Sequence, residues 1–100
     1  MTTYSIPPYE NSFGRAVVGG KVFFFSFDYN SEGDFWSFGL WQNEKTLIYS
    51  TKLVKGIPLN AFFKIAGAPE GYFECVVKGD GELTRDAVLS GAVALIFYER

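Results

Sequence analysis

Histidine is absent from these 100 residues. Without it, neither a Ser-His-Asp nor a Cys-His nucleophile pair can be built, and no His-based zinc site can form. Cysteine occurs once, at Cys75, so no internal disulfide is available, which agrees with a reducing compartment. A reactive thiol wants a nearby cation or a helix N-terminus. Cys75 alternates instead with Phe73 and Val77 in an apolar stretch and reads as a small core residue. Basic residues are few: nine Lys and Arg stand against eleven Asp and Glu, for a net charge of −2. They form no cluster, whereas a nucleic-acid binder wants a basic face. Apolar runs are too short to span a bilayer, and the start "MTTYSIPPYE" lacks the basic and apolar regions of a signal peptide. The expectation is a chain made in a cytoplasm, with no membrane and no nucleic-acid partner, no metal and no cofactor.

Aromatic residues are plentiful: 19% of the chain, with 11 Phe and 6 Tyr. Such a composition favours strands and interfaces. The length fits one domain over residues 1–100, able to bury a modest core without staples. Pro7 and Pro8 cannot donate to a ladder, so residues 1–11 read as an extended, unpaired N-terminal arm. Residues 12–18 read as a first strand, and Gly19-Gly20 as a two-residue hairpin turn. "KVFFFSFDY" (21–29) is a second strand, "NSEGD" (30–34) a loop, and "FWSFGLWQ" (35–42) a third strand. A fourth follows at 46–54, bent near Ser50. Residues 60–65 have weak helical spacing and are read as one helical turn or an irregular loop. Strands at 72–78 and 92–100 flank a short helical turn at 84–90 capped by Thr84. Six short strands with close turns predict an all-β fold, a small, mainly antiparallel β-barrel or β-sandwich.

The stretch from Gly20 to Gln42 raises a question of its own. Neighbouring side chains in a strand point to opposite faces, so Phe23, Phe25, Phe27 and Tyr29 emerge on one side and Phe24 on the other. The third strand likewise divides Trp36, Phe38 and Leu40 from Phe35 and Trp41. A small two-layered domain has one interior, so one apolar set is left for a partner. Ser37 and Gly39 are poor core fillers, and Tyr29 suits a wet rim. The expected core is therefore Phe24, Trp36, Phe38 and Leu40, with Phe23, Phe25, Phe27, Tyr29 and Trp41 at a protein interface.

Catalysis has little to stand on. Paired carboxylates run glycoside hydrolysis, and the candidates are Asp28, Glu32, Asp34, Glu74, Asp80, Glu82 and Asp86. Most lie in or beside turns, where acidic residues are common. "GDGE" (79–82) lacks the ligand run of a calcium loop and the glycines of a dinucleotide loop, and reads as a tight turn. The aromatic rows could also stack sugars or single-stranded nucleic acid, but the basic residues that accompany nucleic-acid platforms are missing. A small carbohydrate-binding module and a glycosidase stay open as rivals to a non-enzymatic interaction protein.

Several segments in order carry a resemblance: Ile6-Pro7, Asn11-Ser12-Phe13, Gly20 to Phe23, Tyr29-Asn30, Trp36 to Leu40, "LVKGIPL" (53–59), Gly71 to Phe73, and "LIFYER" (95–100). Together they resemble the phage baseplate plug family, over nearly the whole chain, with "LVKGIPL" the most specific piece. The stretch "GDGELTRDAVLSG" is similar to that family's acidic turn and short approach to the final strand. The resemblance implies an all-β structural component of a contractile tail baseplate, located in the virion and synthesised in the host bacterial cytoplasm. Its implied partners are other baseplate proteins: hub, spike and tail tube. Self-association into a homo-oligomer is a further option. The resemblance implies no catalytic residues, and the glycosidase rival becomes a baseplate-associated one.

Overall fold

A computed structural model of the chain describes residues 1–59 and 67–99. The helical turn expected within 60–65 lies outside the described residues. Among the described residues seven strands form two antiparallel sheets. They are β1 (Thr2–Ser5), β2 (Asn11–Val18), β3 (Lys21–Asn30), β4 (Phe35–Trp41), β5 (Leu47–Lys52), β6 (Gly71–Val77) and β7 (Val93–Glu99). One sheet has the order β1-β7-β6 and the other the order β2-β3-β4-β5. The sheets face each other across one core and do not close into a barrel.

The four-stranded sheet is a meander whose registers are fixed by its turns. Gly19 and Gly20 take φ of 59° and 82°, as a two-residue turn of the primed type requires. That turn sets Val18 opposite Lys21, and the pairing runs on to Asn11 opposite Asp28. The next connection is a four-residue loop, because Asn30 already pairs with Phe35. Asp34 sits at φ 52°, and the Gly33 amide donates to the Asn30 side chain at 2.9 Å.

The arm is not unpaired. Thr2–Ser5 pairs antiparallel with β7, from Thr2 opposite Phe97 to Ser5 opposite Ala94. The prolines forbid pairing only at their own positions, and Thr-Thr-Tyr before them has strand-forming side chains. Ile6 is buried at the crossing between the sheets. The Tyr4 hydroxyl donates to the Val17 carbonyl, tying β1 to the edge of β2.

"LVKGIPL" stitches the sheets together on the other side. Leu53 is buried and its amide donates to the Trp36 carbonyl at 2.8 Å. Gly56 turns at φ 74° and its amide donates to the Cys75 carbonyl at 3.0 Å; the Leu59 amide reaches the Phe73 carbonyl at 2.8 Å. The expected helical turn is α1 (Arg85–Leu89), whose Thr84 Oγ1 accepts from the Ala87 amide at 3.0 Å.

Aromatic rings from both sheets meet in the core. Phe25, Phe27, Trp36 and Phe38 from the larger sheet meet Phe73 and Phe97 from the smaller. Cys75 is buried among them, and burial, helped by Glu74, pushes its thiol up to about 12. The thiol is therefore expected to resist Ellman's reagent at pH 8 in the folded chain and to react fully in denaturant. Because its folded value lies above the ordinary 9.0, the neutral thiol favours the fold below pH 9. That contribution falls away as the pH climbs from 9 towards 12.

Candidate functional site

Side chains with the same orientation in the four-stranded sheet follow from its registers. Phe25 pairs with Leu40, Phe27 with Phe38 and Tyr29 with Trp36. Odd-numbered residues of β3 thus share the inner face with even-numbered residues of β4. Phe23, Phe25 and Phe27 are buried between the sheets, together with Trp36, Phe38 and Leu40. The expectation that Phe23, Phe25 and Phe27 lie at an interface is corrected: they fill the core of the chain itself. The reason is loop length. A five-residue loop at 30–34 would put Phe24 on the face of Leu40; the actual four-residue loop shifts the pairing by one and turns every β3 side chain over.

Tyr29 continues the inner row at its rim, half-buried beside Trp36 with ring centroids 5.2 Å apart. Its hydroxyl donates to Asp34 Oδ1 at 2.5 Å, and this hydrogen bond raises its pKa. The Arg85 guanidinium lies 6.0 Å from the Tyr29 ring centre and donates to Glu10 Oε1 at 2.9 Å.

Of the expected interface residues, only Trp41 faces outward, on the side with Phe24. Around these two the outer face carries an apolar cluster, with Arg15 opposite Phe24 and the polar Asn11, Asp28 and Lys52 towards one end. Phe13, Val17, Val22 and Leu47 are 48%, 53%, 44% and 47% exposed. All four belong to that face by register: Val17 opposite Val22, Phe13 opposite Ser26, and Trp41 opposite Leu47. The outer face of the three-stranded sheet has no large hydrophobic side chain exposed to this degree among the described residues. Phe13 stacks on Phe24 at 5.4 Å and meets Trp41 edge-on at 5.5 Å.

This cluster is rigid for a local reason. Trp41 Nε1 donates to Ser26 Oγ at 2.9 Å, so the indole lies flat along the sheet. It lies over Gly39, where an added Cβ would come within 2.2 Å of Ser26 Oγ and 2.9 Å of Trp41 Nε1. Gly39→Ala is therefore expected to break the Trp41–Ser26 bond and cost about 1–3 kcal/mol through overpacking. Near-ultraviolet circular dichroism and the thermal midpoint would report the two effects. An unchanged tryptophan band would show that the glycine is not what seats the indole.

Phe13, Val17, Val22 and Leu47 were not picked out by sequence reasoning. A usable signal existed: once Gly19-Gly20 is a two-residue turn, Val17 must oppose Val22 and Phe13 must oppose Ser26.

Two hollows each bring two of the candidate carboxylates into one lining, Asp28 with Glu32 and Asp34 with Glu82, the second beside Lys52, Lys55 and Arg85. Asp28 is on the outer face of β3, while Glu74 is on β6 in the other sheet. Asp80 is paired with Lys55 at 3.0 Å and Asp86 with Arg85 at 3.2 Å. Asp34 accepts from Tyr29. Among the described residues no group of three metal-ligating side chains is found, and no helix is long and apolar enough to cross a membrane.

What the arrangement can do is bind: it offers a fixed aromatic face to another surface. The family model that matches the chain, over residues 1–99, is described as cyanophage baseplate Pam3 plug gp18. No curated protein matches it.

Proposed function

The chain belongs to the cyanophage baseplate Pam3 plug family, and on that premise we propose that it is a non-enzymatic structural protein that docks through the outer face of its four-stranded sheet. The neighbours in this reading are the hub and spike below the tail tube. The observation that carries it is an apolar ridge on one face of the fold, in which Phe13, Val17, Val22 and Leu47 are exposed around the half-buried Phe24 and Trp41. Contiguous apolar surface of this kind marks a contact site.

The size of the face fits a multi-contact assembly better than an isolated pair. Four strands about 4.8 Å apart and six to ten residues long make a face of roughly 500 Å². A stable two-body interface takes about 800 Å² per partner. A plug held on several sides reaches that total by adding contacts.

The carbohydrate-binding rival needs ring faces laid open for a sugar. Here Phe13 and Phe24 cover each other, with their planes 12° apart. The glycosidase rival needs two carboxylates across a cleft; Asp28 and Glu74 lie in different sheets, and Asp34 and Glu82, which share a hollow, stand among Lys52, Lys55 and Arg85 with Asp34 already accepting from Tyr29.

Purified tail baseplates are the test. The chain is expected in them at fixed stoichiometry with hub and spike, and the isolated chain is expected to leave cell-wall substrate uncleaved. Absence from baseplates, or cell-wall cleavage by the chain, overturns the reading.

A further inference from the structure

The outer face contains a hollow whose chemistry indicates what a docking neighbour presents to it. It measures about 380 Å³ and is lined by Asn11, Ser12, Phe13, Ser26, Asp28 and Trp41. Two walls are aromatic, with Phe13 and Trp41 meeting edge-on at 5.5 Å. The other wall is polar and includes the exposed side chain of Asp28. The Asn11 amide nitrogen, oriented by its hydrogen-bond surroundings, donates to Asp28 Oδ1 at 3.0 Å and to the Glu10 carbonyl at 3.2 Å, fixing the carboxylate from one side. Among the described residues the ion pairs are Lys55–Asp80, Arg85–Glu10 and Arg85–Asp86, and none reaches Asp28.

An aromatic wall beside a carboxylate suits a cationic side chain. The ring quadrupole attracts a cation within about 6 Å, the carboxylate neutralises it, and the aliphatic stem covers the ring. The chain uses this combination on itself at another place. Arg85 lies 6.0 Å from the Tyr29 ring centre while donating to Glu10. There the cation is supplied internally; at Phe13, Trp41 and Asp28 the ring and the acid are present, and among the described residues no cation pairs with the acid or lies over either ring.

We propose that the Phe13–Trp41–Asp28 hollow receives an arginine or lysine side chain projecting from a neighbouring baseplate protein. This rests on the reading that the outer face is the docking surface. A second copy could offer Arg15, which shares this face opposite Phe24. A face of roughly 500 Å² falls short of the usual 800 Å² for a stable pair of copies, so the occupant is assigned to a different chain.

The test uses the full-length chain labelled with nitrogen-15. N-acetyl-arginine amide is titrated, with N-acetyl-citrulline amide as the uncharged isostere. The chain has two indole signals, from Trp36 and Trp41, and Trp41→Phe assigns them. Arginine amide is expected to shift the Trp41 indole and Asn11 side-chain signals saturably, and citrulline amide to leave them in place. Asp28→Asn is expected to weaken the response about tenfold, with the buried Trp36 indole signal unmoved as evidence that the fold is intact. Equal responses to both amides, or no saturable response, overturn the proposal. A shift on concentrating the chain alone that Arg15→Gln removes also overturns it, by assigning the hollow to a second copy. If the hollow ignores arginine while the chain is still found in purified baseplates, this proposal fails and the baseplate reading stands.

Discussion

Phe25→Ser is expected to unfold the chain. Phe25, like Phe38, is one of the rings through which the two sheets meet. Its centroid lies 5.1 Å from Tyr4 on β1, 5.6 Å from Phe73 on β6, 5.4 Å from Phe38 and 6.3 Å from Phe27. Truncating a buried phenylalanine costs about 3–5 kcal/mol through lost transfer energy and the cavity left behind. The serine hydroxyl adds a further cost unless it finds a partner in an apolar site. A domain of this size has about 5–15 kcal/mol in total, so a large part of its stability goes. Chemical denaturation read by far-ultraviolet circular dichroism checks this, and Phe25→Leu, which keeps most of the volume, is expected to be much milder. A Phe25→Ser chain that stays folded and merely fails to assemble would put Phe25 outside and reverse the β3 register.

The second large effect is on assembly, with folding retained. Phe13→Ser combined with Phe24→Ser is expected to keep the chain folded and remove it from baseplates. Phe13 is 48% exposed and Phe24 half-buried, so the fold loses mainly their mutual stacking, about 0.5–1.5 kcal/mol. For a domain of this length each kcal/mol lowers the thermal midpoint by roughly 4–8 °C. At a docking surface, central aromatic residues are where truncation costs 2 kcal/mol or more, which is about 30-fold or greater in affinity. The thermal midpoint and the amount of chain in purified baseplates separate the two effects. Incorporation at the unsubstituted level would exclude this face as the docking surface. Should the double variant lose its fold, Val17→Ser with Leu47→Ser probes the same face through two side chains that are about half exposed.

The sequence by itself determined a good deal. The lack of histidine excludes whole classes of chemistry by arithmetic, whatever the fold. The strands from Asn11 to Trp41, the Gly19-Gly20 turn and the Thr84-capped helix were legible, because each is a local matter of turn geometry, side-chain type and capping. The β4 faces were legible as well: Trp36, Phe38 and Leu40 are core, and Ser37 and Gly39 lie on the other side. The role of β1 was missed, since the prolines at 7 and 8 say nothing about Thr2–Ser5, and its partner β7 is at the far end of the chain. In β3 the two-residue alternation has apolar residues at both parities and therefore does not choose a face. Only tertiary structure chose. A loop of four residues, 31–34, pairs Asn30 with Phe35 and places Phe25 opposite Leu40. The three-stranded sheet then closes over that side through Phe73 and Phe97. One residue more in the loop would have exchanged the buried and exposed faces, because side chains in a strand repeat every two residues and register is shared across the whole ladder.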